Sequence, residues 1–160
     1  MSFKVKISIL FSLLFIFFSY LIYDNLTQRG EKYIIEEIKE RGNSLSLSLA
    51  RFAKEPLLDN NLAELSRLTY SLKKEENLSF VYIVDRQGKI KGSPEYEDID
   101  KNIKEILPFY EARENLLIFE KDIIMGGINI GKVYLGLYLS ILEKAKRDFR
   151  ISAFLIFSLS

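Results

Sequence analysis

The chain contains no cysteine and no histidine. Without cysteine there is no disulfide, no thiolate nucleophile and no thiolate ligand for zinc. Without histidine there is no Ser-His-Asp triad, no imidazole base, no imidazole metal ligand and no phosphoacceptor histidine. Glycine-rich phosphate loops are absent too, and no serine or carboxylate sits beside an identifiable base. The residues therefore predict neither catalysis nor a bound metal or cofactor. They do not oppose export, because an exported domain with a sufficient core needs no disulfide.

Charge is also missing, but only locally. The formal net charge is +1 over 160 residues, so no global field points to nucleic acid or to a strongly charged partner. All 22 acidic residues lie between Asp24 and Asp148, and the first 23 residues carry only Lys4 and Lys6. Such a partition predicts segments in different solvents, one of them lipid. The length leaves room for one domain plus membrane segments.

Residues 7–23, ISILFSLLFIFFSYLIY, form an uncharged run of 17, at the lower end of the roughly 17–25 residues that span a bilayer as a helix. Tyr20 and Tyr23 suit the interfacial aromatic belt, and Lys4 and Lys6 put the N-terminus in the cytoplasm by the positive-inside rule. No small-x-small cleavage site follows, so an uncleaved anchor is expected rather than a signal peptide.

From residue 24 to 56 the pattern is that of a long amphipathic stalk helix. Leu26, Ile34, Ile38, Leu45, Leu49 and Phe52 recur at helical spacing, with charges on the other face. No proline precedes Pro56, which is expected to end this helix; at about 1.5 Å per residue the stretch 24–52 reaches roughly 44 Å. Its stripe must bury against the domain's own sheet, against a second copy, or against both. Gly30 and Gly42 are its weak points. Asn61 with Glu64 three residues on predicts an N-cap, with Leu62, Leu65, Leu68 and Leu72 on one face.

At Ser79 the period changes. Phe80-Val81-Tyr82-Ile83-Val84 reads as a central strand, Asp85-Arg86-Gln87-Gly88 as a turn, and Lys89-Ile90-Lys91-Gly92 as its hairpin partner. Residues 93–115 are polar, with a short helix expected over 101–107. Residues 116–125 and 128–139 read as strands around Gly126-Gly127, the second with Val133, Leu135, Leu137 and Leu139 on one face. Residues 140–150 look like a charged helix. Residues 151–160, ISAFLIFSLS, are expected to begin a second membrane span.

This order of pieces resembles the N-terminal half of bacterial transmembrane sensors carrying a Cache (PAS-like) domain. The matching stretches are Leu49-Ala50-Arg51-Phe52-Ala53 to Pro56-Leu57-Leu58-Asp59-Asn60, then Val81-Tyr82-Ile83-Val84-Asp85-Arg86-Gln87-Gly88-Lys89-Ile90, then Ile130-Gly131-Lys132-Val133-Tyr134-Leu135-Gly136-Leu137. The resemblance spans roughly 30–150 and implies an α+β fold: a transmembrane helix continuing into a long amphipathic helix, a PAS-like antiparallel sheet domain over 57–150 with exit helix 140–150, and the start of a second transmembrane helix. It implies residues 24–150 outside the cytoplasm of an inner membrane, a homodimer through the stalk, and signalling to a histidine kinase, diguanylate cyclase or chemoreceptor module, none of which lies within the 160 residues.

The resemblance also implies a small-molecule site on the sheet face away from the long helix. The candidates are Tyr82 and Tyr134 on strands, with Tyr110 and Arg113 in the covering segment. Arg113 suits a carboxylate held bidentately, while the same residues also read as ordinary sheet core and surface. The acids around Tyr96 (Glu95, Glu97, Asp98, Asp100) read as a solvated loop rather than a cation site. A rival class is a membrane-anchored assembly protein, because pilin-like subunits share the order of apolar helix, amphipathic continuation and sheet. Against it, the apolar run has no early glutamate and no processing site precedes it.

Overall fold

The computed structural model describes residues 3–113 and 115–139. The chain is α+β. Helix α1 (Phe3–Phe52) takes up 50 residues without a break, running through both Gly30 and Gly42. A helical glycine costs about 1 kcal/mol relative to alanine. At Gly42 packing compensates, because a Cβ built there falls 2.2 Å from the Phe119 ring. Only a bare Cα lets that ring lie against the helix.

The apolar stripe of α1 is used by the domain itself. Ile38 and Leu49 are buried, Ile34 and Leu45 pack beside them, and all four meet the sheet. Burying each of these side chains contributes roughly 1.5–3 kcal/mol. Phe52, expected on this stripe, is 68% exposed, because the fully buried Ala53 takes the inward position one turn after Leu49. The long helix stops at Phe52, before Pro56. That proline sits inside the short α2 (Lys54–Leu58), in a first turn where its missing N–H is not needed. Helix α3 (Leu62–Ser71) opens as the spacing predicts, with the Asn61 side chain accepting from the Glu64 N–H at 3.1 Å.

Four strands follow: β1 (Leu78–Asp85), β2 (Ile90–Gly92), β3 (Leu116–Met125) and β4 (Ile128–Tyr138). They form one antiparallel sheet in the order β2-β1-β4-β3. The β3–β4 turn has positive φ at both Gly126 and Gly127, as a tight hairpin turn demands. Between β2 and β3 lie a turn at Tyr96–Asp98 and helix α4 (Ile103–Glu111). Helix α4 runs past Pro108 to Glu111, beyond the expected 101–107, since the Pro108 carbonyl still accepts from the Ala112 N–H at 3.2 Å.

Alternation divides the sheet into two faces. Val81, Ile83, Val133, Leu135 and Leu137 point to α1, α2 and α3 and form the larger core with Leu65 and Phe119. Phe80, Tyr82 and Val84 point to the other side, where Ile103 and its neighbours cover them.

Strand β4 runs antiparallel to the helical layer. Leu57 lies against Gly131, Gly42 meets Phe119 (the β3 partner of Leu135), and Ile34, Ile38 and Arg41 share a cleft with Leu137 and Tyr138. The last strand therefore ends where α1 arrives at the domain. The uncharged run 7–23 lies inside α1. Among the described residues no helix is long and apolar enough to cross a membrane. The exit helix expected at 140–150 and the span expected at 151–160 lie outside the described residues.

Candidate functional site on the covered sheet face

The register of the sheet builds this face in rows. Tyr82 on β1 is directly opposite Tyr134 on β4, which is opposite Glu120 on β3. The next row holds Phe80, Gly136 and Ile118. A Cβ at Gly136 falls 2.3 Å from the Phe80 ring, so the bare backbone lets that ring lie flat over the sheet. Phe80 in turn stacks with Tyr82 at 5.5 Å between centroids. From the cover, Tyr110 of α4 comes to 4.1 Å from Phe80.

Tyr82 is only 4% exposed, so its hydroxyl needs a partner. It donates to Asp98 Oδ2 at 2.9 Å. Burial, reinforced by hydrogen bonding to Tyr110 and Asp98, pushes the Tyr82 phenol well above the usual tyrosine value. Tyr134, half-buried, is raised as well, first by burial and then by the Glu120 carboxylate. Both phenols are thus proton-bearing donors at neutral pH.

The covering segment is tied down by charge pairs at its edge. Lys91 of β2 binds Asp100 at 2.7 Å, Lys101 binds Asp98 at 2.8 Å, and Lys73 binds Glu95 at 2.6 Å. The lysine beside Asp100 holds its carboxyl below the usual range. Glu95, Asp98 and Asp100 thus each pair with a different lysine, and Asp98 also accepts from Tyr82. Among the described residues no cluster of three or more His, Cys, Asp or Glu side chains is placed to hold a metal ion.

Of the four residues singled out from the sequence, Tyr82, Tyr110 and Tyr134 belong to one side-chain cluster. Arg113 stands at its end. Its guanidinium lies 4.6 Å from the Phe109 ring centroid, 5.4 Å from Tyr110 and 5.9 Å from Tyr138, and it donates to the Tyr138 hydroxyl. Sequence reasoning missed Asp98 as the partner of Tyr82, and Phe80 as the ring that joins Tyr82 to Tyr110. The strand alternation put Phe80 on the face of Tyr82; nothing local marked Asp98 among its acidic neighbours.

No protein-family model matches the sequence, and none of the curated proteins matches it. Among solved structures, one that is similar is the crystal structure of the sensor domain of a histidine kinase from Clostridium perfringens. It is 16% identical, with a TM-score of 0.46, and the match covers 64% of this chain and 95% of that one. A likeness of that size carries no argument.

Chemically, the covered face offers aromatic walls, phenolic donors and the carboxylates of Asp98 and Glu120. Small-molecule sites are built in this way, from a few polar groups on apolar walls. Its rings pack on one another beneath the cover. The cover is held by the Tyr82–Asp98 hydrogen bond, the Phe80–Tyr110 contact and the burial of Ile103, with ion pairs at its edge.

Proposed function

We propose that this chain is the extracytoplasmic input region of a membrane signal-transduction protein, built on a PAS-like (Cache) domain. Residues 7–23 are its first membrane helix and 151–160 begin its second. The observation that carries the reading is the antiparallel course of α1 and β4. The helix that enters the domain and the end of the last strand meet at Ile34, Ile38, Leu137 and Tyr138, at one end of the domain. A domain tethered at one end by two elements is a lever, because a shift of β4 against α1 becomes a displacement of one membrane helix against the other.

In this reading a small ligand, or another envelope stimulus, acts on the face of Tyr82, Tyr110 and Tyr134, with Arg113 at its rim. The cover moves, and β4 carries the change to an output module. A homodimer forms through the outward face of α1, where Tyr33 and Leu47 are exposed.

The chain lacks cysteine, so single-cysteine variants report without background. In intact cells, a membrane-impermeant maleimide is expected to label Tyr96→Cys at once and Ser2→Cys only after the membrane is opened. Labelling of both in intact cells, or of neither, overturns the topology on which this function depends.

A further inference from the structure

One side chain bridges the covered face and the junction of α1 with β4. Arg113 stands just after α4, at the end of the covering segment. On one side its guanidinium lies 4.6 Å from the Phe109 ring centroid and 5.4 Å from that of Tyr110. Tyr110 is also the ring that reaches Phe80 at 4.1 Å. On the other side Arg113 donates to the hydroxyl of Tyr138, the last residue of β4. Among the described residues the guanidinium forms no ion pair.

Backbone bonds hold the end of β4 as well. The Tyr138 N–H donates to the Asn77 carbonyl and the Leu139 N–H to the Asn115 carbonyl, each at 2.8 Å. Leu137 and Tyr138 line a cleft of about 140 Å³ with Ile34, Ile38 and Arg41 of α1. Atoms beside a void have fewer contacts to lose. By contrast α1 and Phe119 are in close contact at Gly42, so β4 can shift at its end while the helix stays on the sheet. Arg113 is half-buried, and a long cationic side chain at a rim has a second resting place in water. The contact therefore has two discrete states, held and released. We propose that Arg113 and Tyr138 form a latch through which the covering segment holds the end of β4 against α1, and that displacing Tyr110 releases it. Arg113 is thus a positioning residue, acting on β4 through Tyr138. The latch rests on the signalling roles proposed above for the cover and for β4, and it supplies the pair that couples them.

The test is amide hydrogen exchange, read by NMR on the full chain in detergent micelles, where the rate of each N–H reports its local opening. Tyr138→Phe removes the hydroxyl and keeps the ring. It is expected to speed exchange of the Tyr138 and Leu139 N–H groups about tenfold, as loss of a hydrogen bond from a charged donor predicts. The Leu65 N–H, which donates to Asn61 in α3, should be unchanged. Arg113→Met keeps the length of the side chain and the aromatic cluster, and should match Tyr138→Phe both alone and combined with it. Tyr110→Leu disturbs the far side of the latch and should speed the same two amides. Combined with Tyr138→Phe it should add nothing, because the latch is already open, whereas independent losses would multiply. Multiplied rates in either double variant, or unchanged Tyr138 and Leu139 exchange in Tyr138→Phe, overturn the latch. Exchange within the domain does not depend on the side of the membrane it occupies, so this result and the maleimide labelling fail separately.

Discussion

Replacing Gly42 by alanine tests whether α1 packs on the sheet at the described register. The new Cβ would lie 2.2, 2.3 and 2.6 Å from Cε2, Cζ and Cδ2 of Phe119, where carbon atoms prefer about 3.5–4.0 Å. Phe119 is 8% exposed and meets the helix with a whole ring edge, so no single rotation relieves all three contacts. Overpacking of this kind costs about 1–3 kcal/mol. Alanine in place of glycine returns about 1 kcal/mol of helix propensity. The clash wins by a modest margin, and a net loss of about 1 kcal/mol is expected, a fall in melting temperature of about 4–8 °C for a domain near 100 residues. The decisive measurement is a double-mutant cycle with Phe119→Leu, read by urea denaturation. With the ring edge removed, Gly42→Ala should become neutral or stabilising, giving a coupling of about 1 kcal/mol or more between two residues far apart in sequence. If Gly42→Ala stabilises the chain equally in both backgrounds, α1 does not lie on Phe119 and the packing argument fails.

Two further outcomes follow from the buried tyrosine and the helix cap. Tyr82 has a folded pKa raised above its unfolded value of about 10 by burial and then by its hydrogen bonds to Tyr110 and Asp98. Its contribution is therefore whole below pH 10 and is lost as the pH climbs from there toward the folded value. Tyr82→Phe should cost about 1 kcal/mol at neutral pH and flatten the alkaline loss, seen in urea midpoints at pH 7 and 11; an unchanged alkaline slope refutes the assignment. Asn61→Ala removes the acceptor of the Glu64 N–H and should cost about 1 kcal/mol, measured the same way, with Asn61→Asp retaining most of the stability.

Much of the architecture was legible along the chain. The cap at Asn61, the β1 strand, the Asp85–Gly88 turn and the β3–β4 hairpin all rest on interactions within a few residues, which sequence displays directly. Pro56 misled because a proline is read as a stop, yet in α2 it falls in a first turn; α4 outran the expected 101–107 because the hydrogen bonds flanking Pro108 hold without its N–H. Phe52 misled because Leu49 has two helical successors, and only the packing shows that Ala53 takes the inward place. For the covered face, alternation put Phe80 and Tyr82 together, but Tyr110 and Asp98 reach them across loops whose course no local pattern encodes.

By itself the sequence determined where helix and strand form, which residues are apolar at which period, and which chemistry is excluded by the missing cysteine and histidine. These are consequences of short-range sterics, solvation and composition. The tertiary structure alone decided that Gly42 serves the Phe119 ring, that the stripe of α1 is spent on its own sheet, that Tyr82 finds Asp98, and that β4 ends beside the helix by which the chain arrived. Each depends on surfaces meeting across long stretches of chain, where close packing selects one arrangement from many that local preference leaves equal.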